Sequence, residues 1–414
     1  MGYLKQINSI YGYILLGFLL YGLRSFAQLF FHPLQMVFAL LGLLLIFFSP
    51  FIFNFKAINP FQGIVQFVFY FYLVWSFIII LRPVIEGQHY SNYSLHPYSS
   101  FGFLSYLLPL VVLLGTGIIS FTKIFRIIYI FAIIGFIYFI LNFKNMQAIV
   151  DEGILNTRPD SDTIGINQLA DRYAFWLNIS TFSLFCYEFI SKKQKWLAIL
   201  SLAFMLFLCL YFARRSGVVF IFLYFIAAFY LYLQQSNGAT KFLRALFMLL
   251  ITGTVILTVF MYSDTTFSLL FSRIDEDSRT GVDDSLISYL NRENAWFFGK
   301  GIDGVYTSPA FDEPRYVHET GYLYMILKGG VVYLSLYCFL LLYSAYLGYF
   351  KTNNRLTKAF AIYILFHVLL LIPFGVISFD LEYLFLWVAV ASCQSKYYRL
   401  MTNEQMKLYI ALTN

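Results

Sequence analysis

The sequence predicts an all-α polytopic membrane protein of about twelve transmembrane helices with one large extracytoplasmic loop, and three observations lead there. Of 414 residues, 60% are hydrophobic and only 12% charged, whereas a soluble domain carries about 25% charged residues. Long apolar stretches, each near the ~20 residues that a ~30 Å hydrocarbon core requires, recur along the whole chain. The short loops between them segregate charge by sign, as membrane-spanning chains do.

Taken in order, the apolar runs place spans near 10–30, 34–53, 62–81, 101–119, 124–142, 173–191, 196–213, 216–233, 245–262, 320–349, 357–377 and 380–396. No short apolar core with a small-residue cleavage site precedes the first run, which therefore reads as a retained span. Alternating the helices puts Lys56, Lys123 with Arg126, the Lys192 to Lys195 cluster, Lys241 with Arg244, Lys351 to Lys358, and Lys396 with Arg399 on one side. Excess Lys and Arg in short loops marks the cytoplasmic face, so both termini are expected inside. The acids check this independently, because Glu188 and Glu404 alone of the 21 acidic residues fall on the inner side.

Three longer segments then face the exterior. Arg82 to Ser100 carries Glu86, His89 and His96, and Asn142 to Arg172 is acidic. The largest, 263–319, separates spans one to nine (1–262) from spans ten to twelve with a cytoplasmic C-terminus (320–414). Loops of this length are functional or disordered. Its Trp296, Phe297, Phe298, Tyr306 and Phe311, with Gly299-Lys300-Gly301, predict a folded excursion of short helices and tight turns. The four cysteines, Cys186, Cys209, Cys338 and Cys393, lie inside apolar runs and no Cys-x-x-Cys pair exists. They read as small packing residues, and neither a metal nor another cofactor is expected.

Three clusters could carry chemistry. Tyr211-Phe212-Ala213-Arg214-Arg215-Ser216-Gly217 is a tight hairpin between two spans on the outer side, against the usual charge bias. Guanidinium suits phosphate, since its planar fork donates paired hydrogen bonds and stays charged; lipid headgroups are the plainer partner. His318, in Tyr316-Val317-His318-Glu319-Thr320, stands where the large loop re-enters the membrane. There the positive end of the helix dipole disfavours imidazolium, leaving a base for an attacking hydroxyl, with Glu319 to orient it or merely to cap the helix. Ser272 to Arg279 interleaves Arg273 and Arg279 with three acids, a pattern that by itself is usually a solvated, self-paired surface.

In that order and sidedness these residues resemble the O-antigen polymerase and O-antigen ligase superfamily of bacterial envelope-glycan enzymes. The matching features are Ala213-Arg214-Arg215-Ser216 between two central helices, and Ser278-Arg279 followed by Trp296 and Gly299-Lys300-Gly301. His318 then opens the next helix, and Leu327-Lys328-Gly329-Gly330 follows within it. The likeness covers mainly Tyr211 to Val332. The chain departs from the family in having Glu319 where Asn is common after the His, and two hairpin arginines where one is usual.

The resemblance implies a GT-C-like architecture in the bacterial inner membrane, with the large loop periplasmic. It implies metal-independent transfer of a glycan from undecaprenyl pyrophosphate to a sugar hydroxyl, Arg214 or Arg215 with Arg279 binding the pyrophosphate and His318 acting as general base. Arg273, Glu319, Arg292 and Arg82 complete the set expected to meet substrate. The implied partners are the undecaprenyl-pyrophosphate-linked oligosaccharide, membrane lipid, a chain-length regulator and a flippase, with no nucleic acid. A polymerase, whose acceptor is a second lipid-linked repeat unit, is favoured over a ligase acting on lipid A-core; a capsule or exopolysaccharide polymerase is the close variant. A transporter or flippase of lipid-linked sugars is the alternative of a different class, though the sequence shows no matching halves.

Overall fold

The computed structural model describes residues 2–27, 32–52, 59–87, 89–95, 101–113, 120–151, 166–212, 214–234, 261, 280–308, 311–373, 375 and 377–412. In chain order the helices are α1 (Gly2–Ala27), α2 (His32–Ile52), α3 (Ile64–Ile85), α4 (Asn92–Leu95), α5 (Phe103–Leu107), α6 (Phe121–Asp151), α7 (Ile166–Phe182), α8 (Lys192–Tyr211) and α9 (Arg215–Leu233). They continue with α10 (Thr280–Arg292), α11 (Gly321–Phe350), α12 (Arg355–Leu370), α13 (Leu381–Gln394), α14 (Lys396–Leu400) and α15 (Asn403–Leu412). Strands β1 (Tyr306–Ser308) and β2 (Phe311–Arg315) form an antiparallel pair with Tyr306 opposite Arg315.

The described chain is an all-α membrane protein apart from this hairpin. Among the described residues six segments are long and apolar enough to cross a bilayer: Pro33–Phe51, Ile64–Ile85, Phe121–Phe143, Lys192–Tyr211, Arg215–Leu233 and Gly321–Phe350. Where other spans were expected the chain differs. The 101–119 run is, over its described part, the single turn of α5 and a 3-10 segment, Leu108–Leu113; Pro109 lacks the N–H that a continuing α-helix would use. The 173–191 run stops being helical at Phe182. Ser180 and Thr181 turn their hydroxyls onto the carbonyls of Leu177 and Asn178, both at 2.6 Å, and i→i+3 backbone bonds tighten the chain from Ser183 to Phe189. The last two runs appear as α12 and α13, 16 and 14 residues long; Asp380 caps α13 by accepting the Tyr383 N–H at 2.8 Å. The run at 245–262 lies outside the described residues except for Met261.

The chain forms two compact units, 1–124 with 277–414, and 125–276. The first is organised around α11, which packs on α3, α12 and α13. An aromatic cluster fixes these helices: Tyr72 of α3 stacks on Tyr333 of α11 at 5.0 Å with their hydroxyls 2.9 Å apart, and Trp387 of α13 lies 5.6 Å from Tyr72. In the second unit α8 packs against α7 and α9.

Candidate functional site

In the first unit the segment from Ala295 to Gly304 wedges against a break in α11. Gly330 has φ 73° and ψ 179°, a conformation open essentially to glycine alone, and a Cβ there would lie 1.9 Å from the Phe297 carbonyl oxygen. The hydrogen bonds that the broken helix forgoes are replaced by the wedge. Val331 N–H donates to Trp296 O at 2.7 Å, while Lys300 and Gly301 N–H donate to Leu327 O and Lys328 O at 2.7 and 2.9 Å. Such a break within a spanning helix is tolerated where protein re-satisfies the backbone. The buried Lys328 ammonium donates to Ile302 O and Gly304 O at 2.7 and 2.8 Å. The Trp296, Gly299-Lys300-Gly301 and Lys328-Gly329-Gly330 segments of the sequence are thus two halves of one contact.

Below the wedge in sequence, α10 is amphipathic. Val282, Leu286 and Leu290, four residues apart, pack on Tyr306 of β1 and on Leu323, Ile326 and Leu327 of α11. Asp283 in its first turn and Arg292 in its last suit the helix dipole. This packing sets Asp283 against the start of α11, where three side chains meet. Thr320, at the N-cap of α11, makes no side-chain capping bond. Its hydroxyl instead donates to Asp283 Oδ1 at 3.1 Å, and its backbone N–H donates to His318 Nδ1 at 3.0 Å. His318 Nε2 sits 3.2 Å from the same Asp283 oxygen, off the ideal hydrogen-bond direction.

The tautomer follows from these partners. An Nδ1 that accepts an amide N–H carries no proton, so neutral His318 bears its hydrogen on Nε2, facing the carboxylate. Burial is the main reason its pKa lies below the usual histidine range, outweighing the upward pull of Asp283 and of the Val282 backbone. The imidazole is fully buried and Asp283 is 29% exposed, so the carboxylate is the member that reaches solvent. Tyr306 stands 5.5 Å from the imidazole, its phenol pushed up to about 12 by burial against the opposing pull of Arg315.

The other sequence-predicted residues divide between the units. Glu319 is exposed and pairs with Arg315 at 4.0 Å, so the carboxylate that orients His318 is Asp283. Arg82 of α3 is a clamp on the wedge: its Nε donates to Glu86 at 2.6 Å and its Nη1 donates to the carbonyls of Phe298 and Gly299 at 3.0 and 2.5 Å. Arg292 and Lys300 both pair with Glu293, at 3.4 and 2.9 Å, and flank Tyr289. Arg214 and Arg215 belong to the second unit. Arg214 is half-buried as the N-cap of α9, and Arg215, exposed, is its first residue. Arg214 N–H donates to Cys209 O at 2.7 Å, closing the turn after α8. A helix N-terminus bearing guanidinium groups favours an anion. Arg273 and Arg279 lie outside the described residues.

No family model, curated protein or solved structure matches the chain. Asp283 and Thr320 are the residues that sequence reasoning passed over. The signal that could have found Asp283 is its place beside Val282 in the 282/286/290 stripe, which turns one acid of an acid-rich loop toward a packed surface.

Proposed function

We propose that the chain is a polymerase of lipid-linked glycans, transferring glycan from undecaprenyl pyrophosphate to a sugar hydroxyl of another lipid-linked repeat unit at the periplasmic face of a bacterial inner membrane. The observation that carries this is the Asp283, His318 and Thr320 cluster at the junction of α10 with a long apolar helix. A carboxylate, an imidazole and a hydroxyl held together at the end of a membrane span can receive a hydroxyl proton where a lipid-borne sugar would lie.

The chemistry asks for little else from the protein. The acceptor oxygen attacks the anomeric carbon, the bond from that carbon to the phosphate oxygen breaks, and undecaprenyl pyrophosphate departs with the electron pair. Arginine suits the growing charge on the leaving group, and Arg214, Arg215 and Arg279 are each candidates to meet it. Both termini are then cytoplasmic and the segment holding α10 and the hairpin is periplasmic. A chain-length regulator and a flippase are the partners such an enzyme would need.

One observation favours a transporter instead: α11 is discontinuous at Gly330, and broken helices line the substrate sites of many transporters. Against it, the break is filled by the wedge, with Lys328 already held by two carbonyls. Deletion of the gene in its host separates the readings. A polymerase leaves single-repeat glycans on their final acceptor, a ligase leaves long chains on the undecaprenyl carrier, and a flippase leaves unextended carrier at the cytoplasmic face. An unaltered envelope glycan profile, capsule included, would refute the proposal.

A further inference from the structure

We propose that the group which takes the proton from the acceptor hydroxyl is the Asp283 carboxylate, and that His318 is a positioning residue acting through it. This rests on the polymerase reading and departs from the family expectation that the histidine itself is the base.

The geometry assigns the roles. For His318 to take up a proton it needs a free ring nitrogen, and it has none. Nδ1 already accepts the Thr320 N–H at 3.0 Å, and Nε2 carries the ring hydrogen toward Asp283 Oδ1 at 3.2 Å. Protonating Nδ1 would set two N–H groups against each other at that distance, on a ring with no exposure to water. Burial already holds the imidazole on the neutral side. Asp283, by contrast, is partly exposed; one of its oxygens receives the Thr320 hydroxyl and lies 3.2 Å from the imidazole Nε2. Among the described residues its second oxygen makes only a 3.4 Å contact, with the same hydroxyl. The Thr320 hydroxyl, which gives up its usual capping bond, holds the direction of the carboxylate, with the buried imidazole set beside it.

The step balances as follows. The acceptor O–H bond breaks, its proton goes to Asp283, and its electron pair forms the bond to the anomeric carbon. The carbon–oxygen bond to the pyrophosphate breaks and its pair leaves with undecaprenyl pyrophosphate. Asp283 then returns the proton to water.

The test uses the full chain in phospholipid vesicles with undecaprenyl-pyrophosphate-linked repeat units extracted from its own host, reading kcat and donor KM from the glycan ladder. Asp283→Asn is expected to lower kcat at least ~100-fold, the lower end of what a positioned base contributes, with donor KM unchanged. Asp283→Glu recovers part of the loss, and Asp284→Asn, at the exposed neighbour, matches wild type. His318→Gln keeps activity within about tenfold, because its amide can accept from Thr320 and donate to Asp283; His318→Ala falls well below it. The assignment is overturned if Asp283→Asn turns over within threefold of wild type, if it loses donor binding along with turnover, or if His318→Gln is as inactive as Asp283→Asn. A wild-type chain that never elongates the repeats overturns the polymerase reading and this assignment together. Elongation by wild type with Asp283→Asn unaffected removes the assignment alone.

Discussion

Replacing Gly330 with alanine should unseat the wedge from α11. At φ 73° and ψ 179° an L-residue is strained by about 1–3 kcal/mol. The added methyl would overlap Phe297 O and Phe297 C at 1.9 and 2.2 Å, so the wedge must retreat; forced overpacking of this kind costs a further ~1–3 kcal/mol. Retreat stretches the Val331 N–H bond to Trp296 O, worth about 1 kcal/mol net. The sum is about 5 kcal/mol, a large share of the ~5–15 kcal/mol that holds a typical protein folded. At ~2–4 °C per kcal/mol for chains of a few hundred residues, the unfolding midpoint should fall by roughly 10 °C or more. Thermal unfolding in detergent, followed by tryptophan fluorescence at fixed scan rate, measures this. Gly281→Ala is the control, since nothing lies within 4 Å of a Cβ there. A Gly330→Ala midpoint within about 2 °C of wild type would refute the proposed coupling of wedge and helix.

Two further outcomes follow from the same contacts. Lys328→Met keeps the length of the side chain but leaves Ile302 O and Gly304 O without their donor, and should cost ~1–3 kcal/mol per orphaned carbonyl; increased proteolysis between Ala295 and Val305 in native membranes would register it, and wild-type resistance would contradict it. His318 gives a pH signature. Its pKa is lowered on folding from an ordinary value of 6.5, so the unfolded chain binds more protons just below that pH. The contribution to stability is therefore full above about pH 6.5 and is lost as pH falls below it, with Asp283, Arg315 and Glu319 as the charges that face the ring. Melting midpoints of wild type should drop more steeply on acidification than those of His318→Gln, and parallel curves would contradict the assignment of a neutral buried imidazole.

The sequence disclosed those elements whose cause is local. Spans such as α3, α6, α8 and α9 were legible because ~20 apolar residues satisfy a bilayer whatever they pack against. The 101–119 and 173–191 runs were apolar enough to suggest spans, yet Pro109 and the Ser180, Thr181, Ser183 hydroxyls change the backbone in ways that hydropathy does not weigh. His318 was legible as a polar residue just before a long apolar run. Its partner was not, because the meeting of Asp283 with His318 depends on the register of α10 against β1 and α11, and such long-range pairing has no local signature. Arg82 was expected to meet substrate; the contacts it makes, to Glu86 and two wedge carbonyls, are visible only once Phe298 and Gly299 are in place. The hairpin of Arg214 and Arg215 was legible as a turn, since two apolar runs cannot be joined otherwise over so few residues.

The decisive measurement is chain length itself. Vesicles containing only the purified full-length chain, supplied with undecaprenyl-pyrophosphate-linked repeat units and no ion gradient, nucleotide or second protein, should convert single repeats into a ladder of longer glycans while releasing one undecaprenyl pyrophosphate per bond formed. Repeats that keep their length while changing leaflet, or that stay as supplied, would contradict a glycosyl-transferring site built on Asp283, His318 and Thr320.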